Sequence, residues 1–195
     1  LRAPLRVING FARTLIEEYG STLDTNGMHM LEKICNAAQN MGQLVDALLE
    51  LSRVSRAELT SGPVDLTRLA REVVEELRLR DPSRTVNVRI QENLHASGDE
   101  RLLRVVLDNL LGNAWKFTGA TPDPQISFTA ETRNDCTIFC VRDNGAGFDM
   151  KQAGKLFLPF HRLHSGTTYS GTGIGLATAK RIIERHAGKI WAHSE

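Results

Sequence analysis

The feature that most constrains the fold is a long helical pattern near the amino terminus. From about Thr25 to Ser55, apolar residues keep close to a 3.5-residue period over roughly three heptads. A helix of that length extends about 45 Å at ~1.5 Å per residue. An earlier segment, from Leu5 to Tyr19, has apolar residues three and four positions apart. The sequence YGSTLDTNG separates the segments, so the pattern predicts two helices joined by a turn.

The two predicted helices carry more apolar surface than they can cover by packing on each other. A homodimer that forms a four-helix bundle through residues 1–55 would bury both apolar faces. An intramolecular hairpin that packs on a neighbouring domain is the alternative. We favour the dimer, and we expect residues 1–58 to form an antiparallel helical hairpin that is half of such a bundle.

The pattern changes after the hairpin. Gly62 and Pro63 would end any helix, so residues 59–64 are predicted to be a linker. In the following domain, 65–195, helices and strands are mixed and consecutive strands are sequence neighbours, which predicts an α+β chain with an α/β sandwich. Asp65 is the expected cap of the first helix. The expected helices are 65–80, 99–117 and 173–186, with a short helix or loop at 150–157, and the expected strands are 85–91, 125–132, 136–143 and 189–193.

Composition excludes several classes of function. The net charge of +1 provides no electrostatic footprint for nucleic acid. No apolar run approaches the ~18 residues of a membrane span, so we expect no membrane contact by this chain. Three cysteines without a framework spacing indicate reduced thiols and a cytoplasmic location. The first residue is leucine and the last follows a strand-like segment, which is the pattern expected of a piece of a longer protein.

Three alternating glycines stand out near the carboxyl end, in YSGTGIGLAT. Gly171, Gly173 and Gly175 precede a helical pattern, where glycine lets the backbone approach a phosphate at a helix amino terminus. The spacing differs from the dinucleotide fingerprint GxGxxG and from the P-loop GxxxxGK[ST]. Both of these phosphate-binding folds are therefore unlikely, and the glycines by themselves leave the phosphate unidentified.

A second candidate group lies on the predicted helix 99–117. Asn109 and Asn113 are four residues apart and share a helix face with Lys116. Asparagine is a poor helix former, so a pair of them within an apolar helix requires an explanation. Amide oxygens suit a hard cation such as Mg²⁺, and a lysine suits phosphate oxygens. The alternative is that both asparagines lie on a solvated face.

A third group, RDNGAGF, ends a predicted strand. Asp143 follows an apolar run, so its carboxylate would be half-buried, and Gly145 and Gly147 permit a tight turn around it. A buried carboxylate can accept a hydrogen bond from an amine such as the N6 group of adenine. The alternative is a plain Asx turn between a strand and a helix. Downstream, FLPFHRL is followed by the polar, glycine-bearing run HSGTTYSG, which is long enough to form a mobile lid. His161 and His164 lie in this region and are expected to be solvated.

Together, the stretches resemble the sensor histidine kinases of two-component signalling. NLLGNAWKF resembles the N box, DNGAGF the first glycine box, FLPFHRL the F box and GTGIGLA the second glycine box, all in the family's order. The opening LRAPLRVINGF resembles the segment after the phosphoacceptor of a HisKA-type hairpin, more in the manner of phytochrome-linked or hybrid kinases. The resemblance implies a Bergerat-type, GHKL-class ATP-binding domain after the hairpin.

The resemblance also implies a role for each matching residue. Asp143 would bind the adenine amine, Asn113 would hold Mg²⁺ with Asn109 beside it, and Lys116 and Arg162 would meet phosphate oxygens. The full set implied for ATP is Asn109, Asn113, Lys116, Phe117, Asp143, Gly145, Gly147, Phe160, Arg162, Gly171, Thr172, Gly173, Gly175 and Leu176. ATP and Mg²⁺ would then be the substrate and the cofactor.

The implied reaction is transfer of the γ-phosphoryl group of ATP to a histidine and then to an aspartate of a response regulator receiver domain. The family pattern places that histidine, followed by an acidic residue, immediately before Leu1, so we expect this chain to bind ATP without phosphorylating itself. A sensor domain would lie upstream. Asn109 stands where related gyrase-type ATPases have a water-activating glutamate, and it cannot accept a proton at neutral pH. A nucleotide-binding adaptor without kinase activity and a gyrase- or chaperone-type ATPase are the alternatives.

Overall fold

The computed structural model describes residues 2–56, 58–134, 136–163 and 171–194, and omits the side chains of residues 47 and 50–56. The chain divides into two compact units, Leu1–Arg53 and Val54–Glu195. The division falls before residue 58, where the sequence places the end of the hairpin. The domain limits 1–58, 59–64 and 65–195 remain predictions.

The first unit is the predicted antiparallel helical hairpin. Helix α1 spans Arg2–Tyr19 and helix α2 spans Thr25–Arg56. Asp24 caps α2, because its Oδ1 accepts a hydrogen bond of 2.7 Å from the Gly27 N–H. Across the hairpin, Arg2 Nε lies 2.5 Å from Asp46 Oδ1, which brings the start of one helix beside the distal half of the other.

The hairpin leaves much of its apolar surface exposed. Among the apolar side chains of the hairpin that the structure describes, only Ala12 and Ala38 are buried, whereas Phe11 is 69% exposed. Exposed apolar surface of this extent indicates an interaction site. The other large exposed apolar side chains of the described hairpin are Val7, Ile8, Leu15, Tyr19, Met30, Ile34, Met41, Leu48 and Leu49.

The second unit is an α/β sandwich, as predicted. Its described residues form the strands β1 (Gly62–Asp65), β2 (Asn87–Ile90), β3 (His95–Gly98), β4 (Gln125–Arg133) and β5 (Cys136–Asp143). Its α-helices are α3 (Leu66–Arg80), α4 (Glu100–Phe117) and α5 (Gly175–Arg185), and a 3₁₀ helix spans Met150–Lys155. In the larger sheet β2 is parallel to β4 and β4 is antiparallel to β5, and a second sheet pairs β1 with β3.

The core lies between the larger sheet and helices α3 and α4. Strand β4 alternates, so that Ile126 and Phe128 are buried while Ser127 and Thr129 are not. They pack with the apolar faces of α3 and α4, represented by Leu69 and Leu111. Helix α5 joins α4 through a separate cluster of Leu102, Val106, Ala179 and Ile182. The helix that carries both asparagines is therefore held from two sides.

Long-range pairing explains the differences from the predicted elements. Strand β1 takes up the end of the predicted linker, and β3 lies where the sequence predicted no strand, because the two pair with each other across a long stretch of chain. The prediction of a strand at Lys189–His193 was wrong. A strand requires a hydrogen-bonded neighbour, and the end of this segment instead binds a loop, where Ser194 Oγ accepts a 3.0 Å bond from the Phe148 N–H.

Within the described residues, no helix is both long and apolar enough to cross a membrane.

Candidate functional site

Helix α4 brings the two asparagines and the lysine to one region. Asp99 starts the helix as its cap, with Oδ1 accepting a 3.1 Å hydrogen bond from the Leu102 N–H. The positions of Asn109, Asn113 and Lys116 are four and three residues apart, so the side chains share a face, and all three are half-buried.

The amide of Asn109 has a fixed orientation. Its Nδ2 donates to the Val105 carbonyl at 2.7 Å, which directs Oδ1 toward the start of α5. A Cβ placed on Gly175 would collide with that Oδ1. The sequence predicted that the glycines permit close approach to a phosphate. The structure adds that Gly175 permits close approach to Asn109.

The other two glycines shape the segment before α5. Gly173 has φ +72°, a left-handed conformation that ends any helical extension, and α5 therefore begins at Gly175 rather than at the predicted Gly173. The Gly173 carbonyl accepts a 3.0 Å bond from the Phe160 N–H, which ties the glycine segment to the F-box segment. A Cβ on Gly171 would lie 3.4 Å from Lys116 Nζ. Backbone of the glycine segment and the lysine ammonium group are thus neighbours.

Two cations act on the same region. The Lys116 ammonium group lies 4.2 Å from the centroid of the Phe117 ring. Burial lowers the pKa of Lys116, and the positive charge of Arg162 lowers it further. Lys116 and Arg162 therefore repel each other in the free protein. An anion bound between them would offset that repulsion. The arrangement therefore fits a polyanion such as a triphosphate.

The loop after β5 is attached to the end of α4. The Gly145 N–H donates to Asp143 Oδ1 at 2.9 Å, and the Ala146 N–H donates to the Phe117 carbonyl at 3.1 Å. A Cβ on Gly145 would approach that carbonyl to 2.6 Å, so the close contact requires glycine. Asp143 as a whole residue is exposed, but its carboxyl group is partly desolvated. Desolvation raises the pKa of this group, and the hydrogen bond from the Gly145 N–H partly offsets the rise.

Asn144 holds the base of the same loop. Its Nδ2 donates to the Asp123 carbonyl and its Oδ1 accepts from the Gln125 N–H, both at 2.8 Å. Sequence reasoning missed this role, although an asparagine at a strand end is a recognised turn residue. On the other side of the loop, Gly147 has φ +60°, and a Cβ there would lie 2.9 Å from Ser194 Oγ.

The F-box segment differs from expectation at one residue. His161 was predicted to be solvated, but its Nδ1 is buried and has no hydrogen-bond partner among the described residues. Phe160 is 53% exposed and has φ +65°. Arg162 is exposed, and Thr172 and Leu176 are partly buried. His164 and most of the predicted lid lie outside the described residues.

The donor set suits a hard cation shared with a substrate. Within the described ranges, no group of three or more His, Cys, Asp or Glu side chains could hold a metal. On α4 the candidate ligands are the amide oxygens of Asn109 and Asn113. Mg²⁺ takes few protein ligands when substrate phosphates supply the others, so these residues fit the group.

An open cavity of about 570 Å³ lies elsewhere in the second unit, on α3. It is lined by charged side chains that pair with one another, including Arg68 with Glu72 and Arg71 with Glu92. It shares no residue with the site on α4.

Two families match the chain. "Histidine kinase-, DNA gyrase B-, and HSP90-like ATPase" matches residues 98–195, and "His Kinase A (phospho-acceptor) domain" matches residues 1–57. Cyanobacterial phytochrome B of Nostoc sp. is 36% identical over 197 residues, an alignment that covers 100% of this chain and 26% of that protein. The chain spans about a quarter of the length of the first curated relatives that it matches.

Solved structures have the same fold. Full-length ShkA in complex with AMPPNP matches with a TM-score of 0.66 and 26% identity, over 100% of this chain and 41% of that one. The histidine kinase ThkA in complex with the response regulator protein TrrA matches with a TM-score of 0.66 and 22% identity, over 99% of this chain and 55% of that one.

Proposed function

The chain belongs to the histidine kinases, and on that premise we propose that it is the core of an ATP-dependent protein-histidine kinase that passes a phosphoryl group to a response regulator. The observation that carries this proposal is the convergence of three segments at one end of α4. Lys116 lies beside Gly171, and the positive charge of Arg162 lowers the pKa of Lys116. The next residue, Phe117, binds the Asp143 loop through its carbonyl, which accepts a hydrogen bond from the Ala146 N–H.

The proposed roles follow from the chemistry at each position. Asp143 accepts a hydrogen bond from the adenine amine, and the close approach of Gly145 to Phe117 shapes the base pocket. Lys116 and Arg162 bind phosphate oxygens. The relative ShkA was solved with AMPPNP, which supports an adenine nucleotide as the ligand.

The metal would be held on the same face of α4. Asn113 and Asn109 would hold Mg²⁺, which when bound neutralises charge on the phosphate oxygens. The amide of Asn109 is already oriented by Val105, so its Oδ1 needs no further ordering to face the glycine segment.

The chain's own residues contribute position and charge. Phosphoryl transfer needs little covalent participation from the protein, and Lys116 and Arg162 stabilise the charge on the transferring group. Asn109 has no basic group with which to activate water, so hydrolysis should be slow and ATP should persist until a histidine attacks. That histidine is expected just upstream of Leu1, with one acidic residue between them.

The proposed partners are a second copy of the chain, a receiver domain and an upstream sensor. The exposed apolar face of the hairpin supports a homodimer through residues 1–55. The relative ThkA was solved with the response regulator TrrA, which supports a receiver domain as the phosphoryl acceptor. We place the protein in the cytoplasm, where such a receiver domain would meet it.

The decisive experiment uses a longer natural chain that includes the residues preceding Leu1. It is incubated with Mg²⁺ and γ-labelled ATP, and the bound label is tested for stability in acid and alkali. Label that is lost in acid and kept in alkali identifies phosphohistidine, as expected. Bound ATP without protein label would contradict kinase activity and would favour a nucleotide-binding adaptor.

A further inference from the structure

The last turn of α4 holds both halves of the proposed nucleotide site. Lys116 projects from this turn toward Gly171, and the Phe117 carbonyl holds the Asp143 loop through the Ala146 N–H. A small movement of the turn would displace the phosphate-binding cation and the base-binding loop together. The residues that fix the turn therefore affect ligand binding without contacting the ligand.

The turn is fixed by an arginine from another part of the chain. Arg84 lies in the connection between α3 and β2, more than 30 positions before the turn. Its Nη1 donates to the Trp115 carbonyl, and its Nη2 donates to Thr118 Oγ1 at 2.7 Å. Its guanidinium also lies 5.4 Å from the centroid of the Trp115 ring.

The partners of Arg84 are rigidly placed. Thr118 is fully buried, and its hydroxyl, which accepts from Arg84, donates at 2.8 Å to the Ala114 carbonyl. Trp115 is 6% exposed and belongs to the main core. The last carbonyls of a helix lack partners within it, and a cation there is also favoured by the helix dipole. Arg84 supplies both the donors and the charge.

We propose that Arg84 is a positioning residue of the nucleotide site, which holds the last turn of α4 so that Lys116 and the Asp143 loop face the same ligand. This inference rests on the proposed function, since the ligand is the nucleotide. The planar fork of the guanidinium is essential, because two separate acceptors are bound by one rigid group. A lysine would keep the charge and lose the second bond.

The test compares Arg84→Lys with Arg78→Lys in the whole chain. Arg78 is the matched control, because it forms an exposed ion pair with Glu75 on α3. Mg-ATP affinity is measured by calorimetry well below the unfolding temperature, with circular dichroism as the check of folding. We expect Arg84→Lys to weaken Mg-ATP binding by about tenfold and Arg78→Lys to leave it unchanged. Unchanged affinity in a folded Arg84→Lys protein would overturn the proposal.

A second measurement needs no nucleotide and separates positioning from general stability. In ¹H–¹⁵N NMR spectra of the ligand-free protein, Arg84→Lys should shift the backbone amide resonances of Lys116, Phe117, Gly145 and Ala146. The resonances of α3 should stay in place. Thr118→Val, which removes one acceptor at nearly constant volume, should shift the same resonances less. Resonances that stay in place would overturn the proposal even if the unaltered chain bound no ATP. If the unaltered chain failed to bind ATP, that result would instead contradict the proposed function.

Discussion

At the scale of single residues, Asp143 and Gly175 carry the chemistry and the geometry of the proposed site. The Asp143 carboxyl group is desolvated and accepts one hydrogen bond from the Gly145 N–H, so it retains capacity to accept another from a ligand. Gly175 lies against the Asn109 amide, where no larger residue fits. Substitution at either position should therefore weaken nucleotide binding.

Replacing Asp143 by alanine should weaken ATP binding by at least about tenfold, because a hydrogen bond to a charged acceptor contributes about 1.5–3 kcal/mol. The measurement is calorimetric titration with Mg-ATP. Asp123→Ala is the control, since Asp123 is an exposed carboxylate whose Oδ2 accepts from the Gln125 side chain. Equal affinity in the Asp143→Ala and unaltered proteins would refute the assignment of the base-binding residue.

Replacing Gly175 by alanine should also reduce Mg-ATP affinity, by about tenfold, because the added methyl group must displace the Asn109 amide or the start of α5. Titration with Mg-ATP measures the loss. Gly154→Ala provides the comparison, because a Cβ at Gly154 would meet nothing within 4 Å. A Gly175→Ala protein that binds as well as Gly154→Ala would show that the Asn109 orientation is irrelevant to binding.

At the scale of secondary-structure elements, the amino terminus of α4 is a junction of three segments. Buried Asp99 accepts hydrogen bonds from Leu102 N–H through Oδ1 and from Thr60 N–H through Oδ2. Its own N–H donates at 2.9 Å to His186 Nε2, at the end of α5. The Nδ1 of that ring lies 2.8 Å from the Ile182 carbonyl, which identifies the neutral tautomer protonated at Nδ1.

The free energy of unfolding should fall by about 1–2 kcal/mol in Asp99→Ala, because the cap of α4 is lost and the Thr60 N–H loses its acceptor. Chemical denaturation measures the change. Asp65→Ala is the matched control, since Asp65 caps α3 through the Arg68 N–H but is only half-buried. This substitution should lower the free energy of unfolding by less. Equal losses of unfolding free energy in the two variants would mean that the burial of Asp99 adds nothing to the stability provided by its cap.

Asp99 also predicts an acid dependence. Burial alone would raise the pKa of Asp99, but hydrogen bonds from Thr60 and Leu102, with Arg101 nearby, lower it below its ordinary value. A depressed pKa stabilises the fold above the unfolded value of about 3.9, and this contribution is lost as the pH falls through the folded value. The stability difference between the unaltered protein and Asp99→Asn should therefore shrink below about pH 4. A difference independent of pH would contradict this assignment.

At the scale of the whole molecule, the two units pose different problems of burial. The second unit covers its own apolar residues, in a core between the larger sheet and helices α3 and α4 and in a smaller cluster between α4 and α5. The hairpin leaves apolar side chains such as Phe11 and Ile34 exposed to solvent. Association with a second copy is the arrangement that the heptad pattern and this exposure both favour.

Substituting Phe11 by glutamate should weaken the homodimer by at least about a hundredfold, since burial of one such side chain from each copy contributes about 3 kcal/mol or more in total. Sedimentation equilibrium measures the association. Leu79→Glu alters an apolar side chain on α3 that is 80% exposed, and it should leave the dimer intact. A Phe11→Glu protein that remains dimeric at the same concentrations would place the interface elsewhere.

Local sequence patterns were sufficient to predict the features that depend on nearby residues. Periodicity predicted the hairpin and α4, Asp65 marked the start of α3, and the glycines marked the turns at the site. The motif order also identified the family, because four short patterns each constrain the same ligand chemistry. Each of these signals lies within a few positions of the structure that it specifies.

The tertiary structure decided the contacts between residues that are far apart in the chain. Strands β1 and β3 exist as a pair, Arg84 reaches the end of α4, and Asp99 meets His186, 87 positions away. No local pattern encodes these pairings, since each depends on which surfaces the core brings together. The same reason explains the missing strand at Lys189–His193, because a strand forms only where a neighbour completes its hydrogen bonds.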